Sequence, residues 1–511
     1  MSSEPVRDVL IVGGGTAGWM TASALVKLLG PLVSLTLVES DEIGIIGVGE
    51  ATIPHIKTHN TLIGINEPEF VRETQGTFKL GIEFVDWGRL GESYIHGFGK
   101  LGLDLGGHPF HLYWTRAQRT QHAREFWRYS FNVSACRERK FMSTPVDAPK
   151  NTPLEDIAYA YHFDASLYAR YLRRFSEKAG VRRVEGKVLE VRQHGDTGFV
   201  KSVVLAGGQE LAADLFIDCT GFRGLLIEET LKSGYQDWTR WLPCNRALAV
   251  PCASVEAPIP YTRSSARSAG WQWRIPLQHR VGNGYVYSSE FISDEAARAE
   301  LLGHLDGAPL ADPRPLKFTT GHRNEVWKKN VVAIGLSAGF LEPLESTAIH
   351  LIQTGIAKLA LMFPRKDMSP SLRALYNRQV RFDFERIRDF LVLHYHATAR
   401  TDTPFWNHCR TMAIPDELTE YLQLFEDSAR INPKPDELFT LPSWVQVLLG
   451  QGVRPNDYPP IIDTLSDAEL GKFLAHVETV IQSAVAVMPS HQAFINRHCK
   501  AAPPQAAASA A

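Results

Sequence analysis

A β-branched run that passes straight into three consecutive glycines constrains this chain more than any other feature. Residues 9–20 read VLIVGGGTAGWM: an apolar strand, a turn that suits glycine, and the first turns of a helix. In that arrangement Gly13 permits the tight turn, Gly15 lets the backbone approach a pyrophosphate, and Gly18 lets the helix lie close on the strand. Gly14, Thr16 and Ala17 complete a cradle whose N–H groups face the anion. The next strand, SLTLVE at 34–39, ends in Glu39, about 20 residues further on, where a carboxylate bonds a ribose hydroxyl. The pattern predicts a dinucleotide site. A glycine-rich turn that holds no ligand is the plain alternative.

Composition narrows the partners. The chain has 511 residues, 44% of them hydrophobic, enough for two to four domain-sized units. Its 54 Lys and Arg nearly balance 56 Asp and Glu, and the net charge of −2 offers no attraction to nucleic acid or an anionic membrane. Six cysteines, Cys136, Cys219, Cys244, Cys252, Cys409 and Cys499, show no CxxC spacing, which argues against a disulfide framework and a zinc site. They are expected reduced and mostly buried, with no metal bound. No basic and apolar leader opens the sequence, and no apolar run is long enough to cross a bilayer, so the expected location is the cytoplasm.

Continuous apolar strands recur at 214–221 and 330–335, as in a sheet buried on both faces. The predicted class is α/β. A nucleotide-binding core over 1–365 is assembled from segments at about 5–90, 155–230 and 280–365, with insertions at about 91–154 and 231–279 forming a substrate layer. Strand-like alternation around 271–276 and 284–289 supports that layer. Helical spacing appears at 349–363, 370–397, 415–427 and 466–487, so 366–500 reads as a helical C-terminal part. The low-complexity tail at 501–511 is expected to be disordered.

Several short segments carry chemistry. GVGEATIP at 47–54 follows the second strand, and its small residues would let backbone lie against a flat ring; an ordinary loop before a helix reads the same way. Lys79 stands between Phe78 and Leu80, and a lysine in dry surroundings can serve as hydrogen-bond donor, covalent amine or proton carrier. Glu342 and Glu345 precede a helix that is predicted to start near Ser346, with Ser346 or Thr347 as its N-cap. Exposed N–H groups at that start suit a small anion as well as a cap.

GGGTAGW at 13–19, GVGEATIP at 47–54, WQWRIP at 271–276 and EPLEST at 342–347 together resemble the flavin-dependent halogenases of the tryptophan-halogenase type. The likeness covers roughly residues 8 to 360. It implies an FAD-binding Rossmann-like core of the class A flavin monooxygenase kind. It also implies an enzyme that uses FADH2, O2 and chloride or bromide to make hypohalous acid, which reaches an aromatic substrate elsewhere in the protein. In the family's pattern Lys79 directs that oxidant and Glu345 positions it or accepts the ring proton. Gly49, Val188, Leu336 and Ile349 join the glycine finger and Glu39 as cofactor contacts, and Thr347 and Ala348 hold the halide. Trp271 and Trp273 keep substrate from flavin, although core packing would also explain them. His96, Phe98 and Trp444 are wall residues at the substrate, again with packing as the alternative.

The resemblance implies a separate NAD(P)H-dependent flavin reductase as partner, since no second dinucleotide finger is present, and it admits a homodimer. Two departures stand out. Ala348 replaces a common glycine at the halide turn, which favours bromide in expectation. No polar clamp for an amino-acid head group is evident at 436–458, so an indole without that head group is expected ahead of tryptophan. Three rivals remain: a flavin monooxygenase that hydroxylates its substrate, a non-catalytic flavin-binding protein, and an α/β-hydrolase whose nucleophile would be Ser337 in the literal GxSxG at 335–339.

Overall fold

The computed structural model describes residues 4–42, 49–120 and 123–503. Gly47 and Val48 of the GVGEATIP segment, and residues 504–511 of the tail, lie outside the described residues. The chain forms two compact units, each built from three separate segments. The first unit takes Met1–Gln75, Phe163–Arg240 and Lys317–Glu385; the second takes Gly76–His162, Trp241–Leu316 and Arg386–Ala511.

The first unit is organised on a six-stranded sheet. Its order is Trp327–Lys328, Val331–Ala333, Leu215–Asp218, Asp8–Val12, Ser34–Glu39 and Arg182–Glu185. All neighbours are parallel except the first pair. The predicted apolar strands thus stand side by side although more than 100 residues separate Phe216 from its partner Val331. Val9 to Val12 and Leu215 to Asp218 are buried throughout, as strands covered on both faces must be. Helix Thr16–Leu29 links the first two strands, and helix Ala165–Lys178 packs on it.

The second unit carries a mostly antiparallel seven-stranded sheet in the order Arg314–Lys317, Arg246–Cys252, Val281–Tyr287, Gly270–Pro276, Thr262–Arg267, Gly81–Val85 and Ser93–Gly97, in which Thr262–Arg267 and Gly81–Val85 pair in parallel. These pairings explain why the observed boundaries fall at 75, 162 and 316 rather than at about 90, 155 and 280. Residues 81–85 are drawn into this sheet by strand Thr262–Arg267, and residues 281–287 run through its middle. The helical stretches are Ala348–Leu361, Pro370–His396, Asp416–Ser428 and Asp467–Ala486, the last opened by a capping box between Ser466 and Glu469. Leu441–Gly450 is a further helix that periodicity does not single out. All six cysteines are buried, and none is in a disulfide. Among the described residues no helix is long and apolar enough to cross a membrane.

One buried carboxylate ties the first unit's central strand to the turn and helical segment beyond its end. Asp218 Oδ1 accepts from the Thr220 amide at 3.0 Å and the Thr220 hydroxyl at 2.6 Å, and Oδ2 accepts from the Leu226 and Ile227 amides, each at 2.8 Å. Asp218→Asn would turn an amide NH2 toward some of these donors. It is expected to cost about 2–4 kcal/mol, because charged acceptors contribute more than neutral ones and the orphaned donors are buried. A thermal-unfolding comparison checks this, and an unchanged midpoint would show that the carboxylate is dispensable.

Candidate active site

The glycine finger has the geometry its residue types require. Gly13 has φ +109°, and a Cβ there would meet the Cys219 carbonyl oxygen at 2.3 Å. A Cβ on Gly18 would lie 1.9 Å from the Gly13 carbonyl oxygen, so helix Thr16–Leu29 can approach the turn only with glycine at this position. Gly15 differs: nothing lies within 4 Å of its Cβ position, and it stands at a helix N-terminus with no side-chain cap and no acidic residue in the first turn. An open cradle with undirected N–H groups fits a pyrophosphate.

Other predicted cofactor contacts gather in the same unit. Glu39 ends its strand with Oε2 accepting from Trp19 Nε1 at 3.2 Å and Oε1 from Arg183 at 2.6 Å and Arg173 at 3.4 Å. A carboxylate offers about four acceptor sites, so room for a ribose hydroxyl remains. The Gly186 amide donates to the Glu39 carbonyl at 2.8 Å, and Val188 opens the next strand, half-buried. Gly49 is buried at the start of a short strand. A Cβ on Gly335 would meet Ala17 Cβ at 2.8 Å, which places the turn bearing the half-buried Leu336 at the helix's first turn.

The anion-suited turn begins later than predicted. Pro343–Glu345 forms a 3₁₀ turn closed by Ser346 N–H to Pro343 C=O at 3.0 Å; Ser346 then adopts a left-handed conformation, φ +59°, and the helix starts at Ala348. Ser346 therefore is not the cap. Thr347 occupies the N-cap position without capping, and its buried Oγ1 has no hydrogen-bond partner. That orphaned hydroxyl beside a helix N-terminus fits a halide. Glu342 and Glu345 are fully buried, and Ile349 is buried in the first turn of the helix that follows. The helix also carries His350 and Gln353, which sequence reasoning passes over. Both are buried, with His350 Nδ1 and Gln353 Nε2 lacking partners, and burial drives the His350 imidazole down to about 3.

The same turn disposes of the hydrolase pattern. Ser337 is buried, and its hydroxyl donates to the Asp218 and Ile334 carbonyls. The segment continues into a two-residue strand rather than a helix, so no nucleophile elbow exists.

Lys79, the predicted substrate-side lysine, belongs to the second unit, whereas Glu345 belongs to the first. Lys79 ends the strand Thr77–Lys79, fully buried, with Nζ 5.2 Å from the Phe98 ring centroid. His96 and Phe98 alternate onto one face of the strand that begins at Ser93. The His96 ring lies 5.8 Å from Phe390 and 6.3 Å from Phe439, which stack on each other at 3.8 Å. Trp444 meets Phe390 edge-on at 4.9 Å and Tyr421 at 5.0 Å, and its buried Nε1 has no hydrogen-bond partner. His96 and Trp444 thus sit in one aromatic cluster completed by Phe390 of helix Pro370–His396 and by Phe439 of the loop before helix Leu441–Gly450. Glu437 is a second addition: a buried carboxylate within 436–458 that accepts from the Tyr421 hydroxyl at 2.9 Å.

Trp271 and Trp273 share a face of strand Gly270–Pro276 with ring centroids 6.2 Å apart. Trp271 is fully enclosed near Trp87, while the Trp273 ring lies over Gly284, where a Cβ would come within 2.0 Å of it.

The family profile described as Tryptophan halogenase matches residues 8–467. Tryptophan 6-halogenase SttH of Streptomyces toxytricini is 37% identical over 484 residues, covering 89% of this chain and 92% of the relative. The solved structure of Xcc4156, a flavin-dependent halogenase from Xanthomonas campestris, superposes with a TM-score of 0.95 at 48% identity and covers 98% of this chain and 100% of its own. BrvH, a flavin-dependent halogenase from Brevundimonas sp. BAL3, superposes with a TM-score of 0.93 at 42% identity, covering 96% and 99%.

Two glycine variants separate folding from cofactor binding. Gly18→Ala should lower the thermal midpoint by several degrees, at a cost of about 2 kcal/mol, since its methyl collides with backbone. Gly15→Ala should leave the midpoint of the FAD-free protein intact and weaken FAD about tenfold, which fluorescence titration reads as ~1.4 kcal/mol. Equal effects on both properties for the two variants would contradict this division.

Proposed function

The chain belongs to the tryptophan-halogenase family, and from that premise we propose that it halogenates a neutral, electron-rich heteroaromatic ring, an indole without an amino-acid head group. As a flavin-dependent halogenase it is an enzyme that works with FADH2, a halide and an aromatic substrate, and with a separate flavin reductase. The observation that carries the substrate reading is the buried cluster of His96, Phe390, Phe439 and Trp444 in the unit that holds Lys79. Such a wall accepts a flat apolar ring, and an unpaired ammonium or carboxylate brought against it costs several kcal/mol, on the order of desolvation estimates.

When bound, reduced FAD supplies the two electrons that, with dioxygen and a proton, convert halide into hypohalous acid and water. The N–H groups at the start of helix Thr16–Leu29 hold the pyrophosphate, and Glu39 takes the ribose. The Thr347 hydroxyl and the amides at Ala348 and Ile349 hold the halide. The Lys79 ammonium donates a hydrogen bond to the oxygen of hypohalous acid, which leaves the halogen as the electrophile. The carbon–halogen bond forms as the oxygen–halogen bond breaks, the ring proton passes to the Glu345 carboxylate, and the released hydroxide takes a proton from the Lys79 ammonium and leaves as water. Bromide is the easier halide to oxidise, and Ala348 stands where a glycine is common, so bromination outpaces chlorination in this reading.

A second reading has one observation in its favour. Glu437 is a buried carboxylate in the segment where an amino-acid ammonium would need a seat. Against it, one of its oxygens is already taken by Tyr421.

Lys79→Ala is expected to abolish product, by more than about a hundredfold, while flavin reoxidation continues unchanged. Glu345→Gln should cut product strongly with FAD affinity intact. Loss of FAD binding in either variant would make that residue a cofactor or folding group. Indole and tryptophan supplied with equal bromide and chloride, with products read by mass, test the substrate and halide together. Faster turnover of free tryptophan would establish Glu437 as the ammonium seat, and mostly chlorinated product would refute the role given to Ala348. Omitting the reductase while supplying NADH should give no product.

A further inference from the structure

Two buried histidines hold the three-residue strand that ends in Lys79, and their partners dictate where each carries its proton. His162 lies directly opposite Thr77, and Ala160 opposite Lys79, on the neighbouring strand. The Thr77 hydroxyl has one proton and donates it to the Pro276 carbonyl at 2.7 Å. Its 2.9 Å contact with His162 Nδ1 therefore runs the other way, from Nδ1–H to the hydroxyl oxygen. His162 Nε2 stands 2.9 Å from the Thr262 hydroxyl, which donates to it when the ring is neutral. Burial, and then the positive charge of Lys79 and Arg274, holds the His162 imidazole well below its ordinary range, so the ring is neutral.

His491 reaches the same tautomer independently. The Phe78 amide can only donate, so His491 Nε2, 3.1 Å away, accepts, and Nδ1–H donates to the Pro258 carbonyl at 2.8 Å. Burial brings its imidazole down to about 4. Thr77 is thus pinned by its side chain and Phe78 by its backbone, the two residues immediately before Lys79.

We propose that His162 and His491 are positioning residues for Lys79: as neutral Nδ1–H imidazoles they fix the strand from which its ammonium extends and keep a second cation away from it. The inference rests on the reading of Lys79 as the group that directs the oxidant. Thr77 and Lys79 point to the same strand face, so a shift of Thr77 is passed on to the lysine. The four-carbon side chain of lysine has little rigidity of its own, and its reach is set by where its backbone sits. Directly opposite Lys79 the paired strand offers only the methyl group of Ala160.

The test uses the full-length protein with FAD and a separate reductase. In protein labelled with 15N-histidine, NMR should show Nδ1 protonated and Nε2 pyridine-like for both rings, with no titration between about pH 5.5 and 8, where ordinary histidines change state. Spectra of His162 and His491 variants assign the signals. An Nε2–H tautomer or an imidazolium at either site overturns the inference without any activity assay. His162→Leu should lower halogenated product per flavin reoxidised about tenfold, as small misplacements of reacting groups do. The lost oxidant should appear on an added thiol scavenger, with FAD affinity unchanged. His162→Asn, whose amide can still donate to Thr77, should recover most of the coupling. Unchanged coupling in His162→Leu, or parallel loss of product and flavin reoxidation in both variants, overturns it. Lys79→Ala run alongside separates the layers: retained product there refutes the reading of Lys79 itself, a different result from any that counts against His162.

Discussion

Asp218 is the point on which the first unit's chemistry depends. Its carboxylate gathers the amides of Thr220, Leu226 and Ile227, while its carbonyl takes the Ser337 hydroxyl and the Ile334 amide. The next residue, Cys219, presents the carbonyl that forbids a side chain on Gly13. Three stretches far apart in the chain, the glycine finger, the turn after the second apolar strand and the turn before the Glu345 segment, thereby meet at two adjacent residues. A buried carboxylate is costly unless every lone pair is used, and four donors on two oxygens meet that condition. The apolar sheet supplies stability in bulk; this carboxylate sets the relative positions of the cradle's parts.

The second unit meets a different electrostatic demand. Lys79 is an enclosed cation set beside the face of Phe98, and its own strand is held by histidines kept neutral through their hydrogen-bond partners. A reactive ammonium near an oxidant benefits from such neighbours. An aromatic face stabilises the charge without consuming the N–H directions, and a neutral imidazole fixes the backbone without adding a like charge.

The parts of the structure governed by local rules are legible in the sequence. The glycine finger, the strand ending in Glu39, the buried strands at 214–221 and 330–335 and the long C-terminal helices all follow from residue type and period. Local rules place the start of the helix after EPLEST two residues early, because Ser is a common cap and nothing in the letters announces that Ser346 takes a left-handed conformation. Segment borders are displaced because strand pairing decides them: Gly81–Val85 looks like a continuation of the nucleotide core until Thr262–Arg267 claims it. Least visible are residues whose meaning is purely tertiary. Phe390 and Phe439 read as ordinary helix and loop positions, and His491 meets Phe78 across 413 residues of chain.

The Trp273 ring lying on Gly284 constrains how this protein can change. A residue with any side chain at 284 is excluded by the ring and by the Leu248 carbonyl oxygen, 2.6 Å from where its Cβ would lie, and a smaller residue at 273 uncovers a strip of strand backbone that the ring now shields. Position 284 is therefore closed from two sides, and trimming Trp273 leaves the Leu248 carbonyl oxygen to penalise a side chain there. In the landscape of sequences open to this fold, glycine at 284 is fixed by strand backbone as well as by the ring. The tryptophan is held in place by the residue that has no side chain at all.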